Sequence, residues 1–351
     1  MFRWGIIGTG FVARKFVLGL RASTEGQAVL VVGRTPAHTQ IFGQAFGIAR
    51  VSTDLTTALA AGGVDAIYIA TPPSLHREQA LACLAAGVPV LIEKPMAASV
   101  ADTAAIIAAA RAAGVFAMEA MWTRFLPLMT DLRQHLRASA IGEVRGFSGS
   151  FGLANLADPS DNQFNAALGG GALLHRGIYP IAMALDLLGP ASLAGSSLRI
   201  GASGVDEDAA LILRHDSGAV STLRASLRAT LTNDVVIDGT KGRLQIHAPI
   251  YRPYRATLYP AMPSKRTGKA PRFESQRESS AVQGMQQRLS GLLGPRGQAL
   301  RSPYTGNGYH YQADAVMQAV RGGLTESPIM PLDTSLALAA IIETARLRAK
   351  P

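Results

Sequence analysis

The hexapeptide Gly8-Thr9-Gly10-Phe11-Val12-Ala13 follows the apolar run Trp4-Gly5-Ile6-Ile7 and opens a helical pattern. A glycine-rich turn in that setting constrains a chain strongly. It commits the first elements to a βαβ unit whose helix N-terminus, with free N–H groups and a partial positive charge, faces an anion. Gly8 permits the tight turn, Gly10 lets a pyrophosphate approach the backbone, and Ala13 is small enough for helix to pack on strand. The reading is dinucleotide binding, with Gly8, Thr9, Gly10, Phe11 and Val12 forming the phosphate turn.

The next hundred residues agree with that start. Near-continuous apolar runs at 4–7, 28–32, 66–70, 88–92 and 115–118 are those of strands covered on both faces. Helical patterns at 75–86 and 100–112 lie between them, the second with Ser99 as N-cap and Gly114 as stop. This predicts a doubly wound parallel sheet of the Rossmann type. A chain of 351 residues has room for a second domain. After a helix at 126–136, strand-like runs at 143–151, 209–213, 219–227 and 235–237 are joined by turn sequences such as His215-Asp216-Ser217-Gly218. One helix, 171–188, interrupts them, and two more are expected at 309–320 and 333–348. The expected architecture is α/β plus α+β: residues 1–120 as a dinucleotide-binding domain, and residues 121–351 as a second domain built on a mostly antiparallel open sheet.

Composition excludes several classes. With 48% hydrophobic and 17% charged residues the chain is far from the disordered regime. No apolar run is long enough for a membrane span, and the N-terminus reads as a strand rather than a signal peptide. A single cysteine excludes an intrachain disulfide and a multi-cysteine metal site, so the expectation is a cytoplasmic protein with no metal. The net charge of +10 is concentrated between Arg252 and Arg301, which hold ten Lys or Arg and two Glu. That stretch is rich in Pro, Ser, Gly and Gln, and reads as a solvated basic insertion at about 255–302 rather than a nucleic-acid-binding face.

Three further groups of residues carry chemistry. Val32-Gly33-Arg34-Thr35 ends the second strand, where an acidic side chain would hold the ribose of NAD. Arg34 stands there instead, and a guanidinium suits a 2'-phosphate, so NADP is expected ahead of NAD. Ile92-Glu93-Lys94-Pro95 brings Lys94 out at the carboxyl edge of the parallel sheet, where ligands bind, with Lys94-Pro95 a candidate cis peptide. Gly169-Gly170-Gly171-Ala172-Leu173-Leu174-His175-Arg176-Gly177-Ile178-Tyr179-Pro180 places His175 and Tyr179 four apart on one helix face, with Pro180 a disturbance in that helix.

Together with residues 66–76, Glu119-Ala120-Met121-Trp122-Thr123-Arg124-Phe125 and Gly306-Asn307-Gly308-Tyr309-His310-Tyr311, these stretches resemble the glucose-fructose oxidoreductase / inositol dehydrogenase / MocA (Gfo/Idh/MocA) family. Within that family the chain looks most like the dihydrodiol and xylose dehydrogenase branch. The resemblance spans nearly the whole chain. It implies hydride transfer between nicotinamide and a carbinol or carbonyl carbon of a sugar, diol or related small molecule. Lys94 and Tyr179 would be the acid/base machinery, with Lys94 lowering the tyrosine's pKa. Thr71, Glu93, Trp122 and Arg124 join Gly33 and Arg34 near the cofactor, and a homo-oligomer, in the first place a dimer, is expected through the open sheet.

One residue departs from the family pattern Gly-Gly-Gly-x-Leu-x-Asp-x-Gly-x-Tyr: His175 stands at the aspartate. As a neutral imidazole in contact with substrate, it would make activity fall as pH drops through about 6.5. The same departure keeps open a catalytically weak or inactive NADP-binding ligand sensor of the same fold.

Overall fold

The computed structural model describes residues 1–158, 160–261, 276, 279–293 and 297–349. Six parallel strands form the first sheet: β1 (Phe2–Ile7), β2 (Gly26–Val32), β3 (Arg50–Ser52), β4 (Ala66–Ile69), β5 (Val90–Glu93) and β6 (Ala117–Ala120), in the order β3-β2-β1-β4-β5-β6. Helices α1 (Phe11–Leu20), α2 (Pro36–Phe46), α3 (Leu55–Ala60), α4 (Pro73–Ala85) and α5 (Val100–Ala113) connect them. The order reverses between β1 and β4, and a crevice at such a switch point is where an open α/β sheet binds its ligand. Ser99 caps α5 by accepting from Asp102 N, which contributes about 1 kcal/mol, and left-handed Gly114 ends it. The strand β3 escaped the sequence reading because its three residues are only half-buried and offer no apolar run.

The second sheet has eight strands: β7 (Val144–Gly152), β8 (Ala191–Ile200), β9 (Asp206–His215), β10 (Val220–Ser226), β11 (Val235–Gly239), β12 (Gly242–Ile246), β13 (Arg255–Pro260) and β14 (Gln298–Arg301). Their order is β14-β13-β12-β11-β7-β10-β9-β8, with every pairing antiparallel except β7 with β10. Helix α6 (Pro127–Arg137) leads into this sheet, α7 (Ile178–Leu188) lies on it, α8 (Ser280–Leu293) falls in the basic segment, and α9 (His310–Arg321) and α10 (Leu332–Arg348) return to the first sheet. The mostly antiparallel open sheet was expected, but at half this size. Strand β8 hides in Ala191-Ser192-Leu193-Ala194-Gly195-Ser196-Ser197, whose small and polar residues carry little β signal.

The basic insertion also differs from expectation. Its two ends, β13 and β14, pair with each other and extend the sheet. Residues 262–275, 277–278 and 294–296 of that segment lie outside the described residues. Among the described residues no helix is long and apolar enough to cross a membrane. A single buried cluster reaches from Trp4, Phe16 and Tyr68 under the first sheet through Trp122 and Tyr179 to Phe147 and Ile237 of the second. The groups at the boundary of the two sheets are therefore held from both sides.

Candidate active site

The glycine turn is built as a phosphate cradle. Gly8 has φ +109, and a Cβ there would lie 2.6 Å from the Ala70 carbonyl oxygen of the neighbouring strand, so only glycine fits. Gly10 has the opposite environment. Nothing lies within 4 Å of where its Cβ would stand, and it precedes α1 with no side chain capping that helix. Open backbone at an uncapped helix N-terminus suits a pyrophosphate. Thr9 and Val12 line the turn half-buried, while Phe11 is exposed with Lys15 Nζ 5.1 Å over its ring. Gly33 follows β2 beside Thr9, and Arg34 projects into solvent with no ion pair or hydrogen bond among the described residues. Thr35 then precedes α2, whose N-terminus also lacks a side-chain cap.

Lys94 comes from the end of β5 and Tyr179 from the start of α7, and the fold brings them together. Lys94 Nζ lies 4.9 Å from the centre of the Tyr179 ring, and it donates to the His175 carbonyl at 3.2 Å. That carbonyl is available for a local reason. Residues Leu173–Gly177 form a π-helical turn, in which Ile178 N donates to Leu173 O. Continued by two residues, this pattern would pair Pro180 with the His175 carbonyl, but proline has no N–H to give. The awkward proline is accommodated by a π turn, and Lys94 takes up the carbonyl.

Burial governs the charges. It lowers Lys94 to about 8, with the adjacent Glu93 opposing and Arg176 assisting. It raises Glu93 to about 7 despite Lys94 and a hydrogen bond from Tyr68 Oη. Glu119, across from Ile92 on β6, is likewise raised to about 7 by burial, with Ser335 and Met96 N opposing; its Oε1 accepts from Met96 N at 2.9 Å. Tyr179 is pushed above its ordinary range, by burial first and by Glu93 second. The net direction is opposite to the lowering expected from Lys94. Desolvation is the largest cause, and the ammonium stands over the ring. Tyr179 Oη instead accepts from Trp122 Nε1 at 3.4 Å.

His175 points its Nε2 at the Gly169 carbonyl, 3.2 Å away, which fixes that nitrogen as donor and leaves Nδ1 as acceptor. Burial and the Lys94 charge lower its pKa to about 3, so the imidazole is neutral throughout the physiological range. The acidic limb near 6.5 expected from an unperturbed histidine therefore does not belong to it. Thr71 stands at the end of β4 with its hydroxyl committed to Gln79, while its carbonyl faces His76 Nε2 at 2.8 Å. The other nitrogen of this fully buried imidazole faces the Pro95 carbonyl at 3.0 Å. His76 thus ties the loop after β4 to the cis Lys94–Pro95 turn after β5.

Trp122 is buried and stacks on Tyr309, 4.6 Å between centres. Arg124 is placed differently from expectation. Its buried guanidinium is engaged by Asp186 at 2.8 Å and by Met330 Sδ, so it holds elements together rather than facing the cleft. Sequence reasoning passed over four neighbours of Tyr179: Tyr309, Phe151, Tyr251 and Arg176. Tyr309 and Arg176 lie inside stretches that drew attention, whereas Phe151 and Tyr251 come from a strand and a loop remote from any motif. Among the described residues no cluster of His, Cys, Asp and Glu could hold a metal ion.

Comparison with known proteins gives the family. Residues 2–121 match the model of an oxidoreductase family with an NAD-binding Rossmann fold, and residues 129–245 match the GFO/IDH/MocA C-terminal domain. Trans-1,2-dihydrobenzene-1,2-diol dehydrogenase of Mus musculus is 32% identical, covering 98% of this chain and 96% of its own, and the Sus scrofa enzyme of that name is 30% identical at the same coverage. Among solved structures, the aldose-aldose oxidoreductase of Caulobacter crescentus complexed with glycerol superimposes with a TM-score of 0.82 at 25% identity, covering 99% of this chain and 97% of that one. A 3-ketoreductase of Actinomadura kijaniata in complex with NADP and TDP-benzene gives 0.81 at 25% identity and the same coverage. The chain belongs to the GFO/IDH/MocA oxidoreductase family, with an NAD-binding Rossmann domain at its N-terminus.

Proposed function

We propose that this protein is an NADP-dependent oxidoreductase of a hydroxyl or carbonyl carbon in a sugar, diol or related small molecule, with Lys94 and Tyr179 as its acid/base pair. The observation that carries the reading is their juxtaposition: one residue from the parallel sheet and one from the second domain, with the ammonium 4.9 Å from the phenol ring. Gly8, Thr9, Gly10, Phe11 and Val12 would hold the pyrophosphate, Gly33 and Arg34 the adenosine end, and Thr71, Glu93 and Trp122 would flank the nicotinamide. A bound nicotinamide supplies the hydride donor or acceptor. In reduction, Tyr179 Oη gives its proton to the substrate oxygen as the carbon gains hydride; burial keeps that phenol protonated beforehand. In oxidation the phenol must first release its proton to solvent; the resulting tyrosinate then takes the substrate's hydroxyl proton, and the Lys94 charge favours that anion against the burial that opposes it. Residues 1–120 would carry the cofactor, residues 121–351 the substrate, and the outer face of the eight-stranded sheet, where Ile212 and Val220 stand exposed, would join two copies.

Purified protein titrated with NADPH and with NADH by fluorescence, then assayed on aldoses, diols and diketones, tests the reading. Tyr179→Phe should retain NADPH binding and lower kcat by about a hundredfold or more. A fully active Phe variant would remove Tyr179 from the chemistry. The second reading is a ligand sensor that binds NADP without turnover. It is favoured by His175 at the aspartate position and by a lysine held over the ring. NADPH binding with no turnover on any substrate would select it.

A further inference from the structure

We infer that this site recognises an acidic group, a carboxylate or phosphate of the substrate, through Arg176. The inference rests on the reading of Lys94 and Tyr179 as the reacting centre. Arg176 follows His175 in the π turn, and its guanidinium carbon lies 5.0 Å over the ring of Phe151. Phe151 in turn packs edge-on against Tyr179 at 5.4 Å and stacks on Tyr251 at 5.3 Å. The guanidinium is thus one aromatic ring away from the phenol.

What distinguishes Arg176 is the lack of a partner. It is half-buried, makes no ion pair or hydrogen bond among the described residues, and its Nε is fully buried and unsatisfied. The carboxylate within electrostatic reach is hydrogen-bonded elsewhere. Asp161 is the one whose field stabilises Arg176, yet its oxygens accept from Gln163 N and Gln163 Nε2. The remaining neighbours are Lys94, a second cation, and His175, which is neutral where the family pattern would have supplied a carboxylate. An arginine cannot shed its proton to escape this environment, and a half-buried guanidinium without a counter-ion is costly. Its planar fork matches a carboxylate or phosphate in two parallel hydrogen bonds. The counter-charge missing from the protein is the one the substrate brings.

The test compares matched pairs at one salt concentration with NADP(H): glucuronate against glucose, gluconate against sorbitol, glucose 6-phosphate against glucose. The readout is the ratio of kcat/KM for each acid to that of its neutral partner. Wild type should favour at least one acid by about tenfold or more. That ratio should fall toward unity in Arg176→Gln, recover in part in Arg176→Lys, and shrink with added salt. A wild-type ratio near unity for every pair overturns the inference, as does a ratio that survives Arg176→Gln. NADPH affinity separates the two sources of anion, because a variant that loses NADPH binding while keeping its acid preference would mean that Arg176 serves the cofactor. If nothing turns over, quenching of the protein–NADPH complex by gluconate, glucuronate and glucose 6-phosphate decides. Acid binding abolished in Arg176→Gln supports the anion site and sinks only the redox reading; no acid binding at all overturns the anion site itself.

Discussion

At the scale of single residues, the site sets protonation states that differ from those of free side chains. Lys94, lowered to about 8, is an ammonium below that pH and an amine above it. If its charge steadies the developing phenolate, kcat/KM falls as pH rises through about 8. His175, lowered to about 3, contributes no limb between 5 and 9. A limb near 7 would point to the buried carboxyls Glu93 and Glu119 rather than to the His175 imidazole. His175→Asp places a carboxylate beside Lys94, which favours the ammonium and should move the alkaline limb upward. Superimposable kcat/KM profiles of the two proteins from pH 5 to 10 would remove His175 from the electrostatics of Lys94. Arg34 tests the other end of the cleft. Its side chain has no partner among the described residues, so Arg34→Ala should weaken NADPH by about tenfold or more and leave NADH nearly unchanged in parallel titrations. The residues legible in the sequence were those in dense motifs. Their charge states were not, because much of the burial comes from Phe151 and Tyr251, in segments with no motif.

At the scale of elements, the segment bearing Trp122 is held by a buried charge cluster. Asp186 on α7 accepts from Arg124 at 2.8 Å and from Arg133 on α6 at 2.7 Å, with its side chain only 4% exposed. Arg133 also donates to the Arg124 carbonyl at 2.6 Å, so three elements meet at one carboxylate. Asp186→Ala would leave two poorly solvated guanidinium groups without a counter-charge. It should destabilise by about 3 to 5 kcal/mol, read from urea unfolding. A loss under ~1 kcal/mol would mean that water replaces the carboxylate and that the cluster is not the clamp. The sequence suggested Arg124 for the cleft because its motif adjoins Trp122. Asp186, distant in sequence and on a mostly apolar helix, gave no sign of claiming it. Helix ends, by contrast, were readable: Ser99 and Gly114 are local signals, and capping depends on a few adjacent residues. The π turn and strands β8, β12, β13 and β14 were not, since their existence depends on a proline's lost donor and on pairing partners far along the chain.

At the scale of the whole molecule, burying acids between two sheets links function to stability. Glu119 is 1% exposed, with its pKa raised from 4.5 to about 7 chiefly by burial. A carboxyl whose folded pKa exceeds its unfolded one binds its proton more tightly when folded. Its ionisation therefore costs stability progressively as pH rises from about 4.5 through about 7, and the cost is complete above that. Glu93 acts in the same direction, while His175, lowered by burial, acts oppositely below its ordinary 6.5. The total profile is consequently a poor test, and the difference between wild type and Glu119→Gln is a clean one. The amide keeps an acceptor for Met96 N and removes the buried charge. The variant should match wild type near pH 4.5 and gain as pH rises. The gain should level off above pH 7 at on the order of 2 kcal/mol, or on the order of 3 °C in Tm. Thermal melts from pH 4.5 to 8.5 measure it. A flat difference would mean that water in the adjoining cavity of about 440 Å³, lined by Met96, Glu119 and Ser335, solvates the carboxylate. Glu119 would then titrate as an ordinary glutamate, and the first sheet would meet α10 across a wet boundary rather than a dry one.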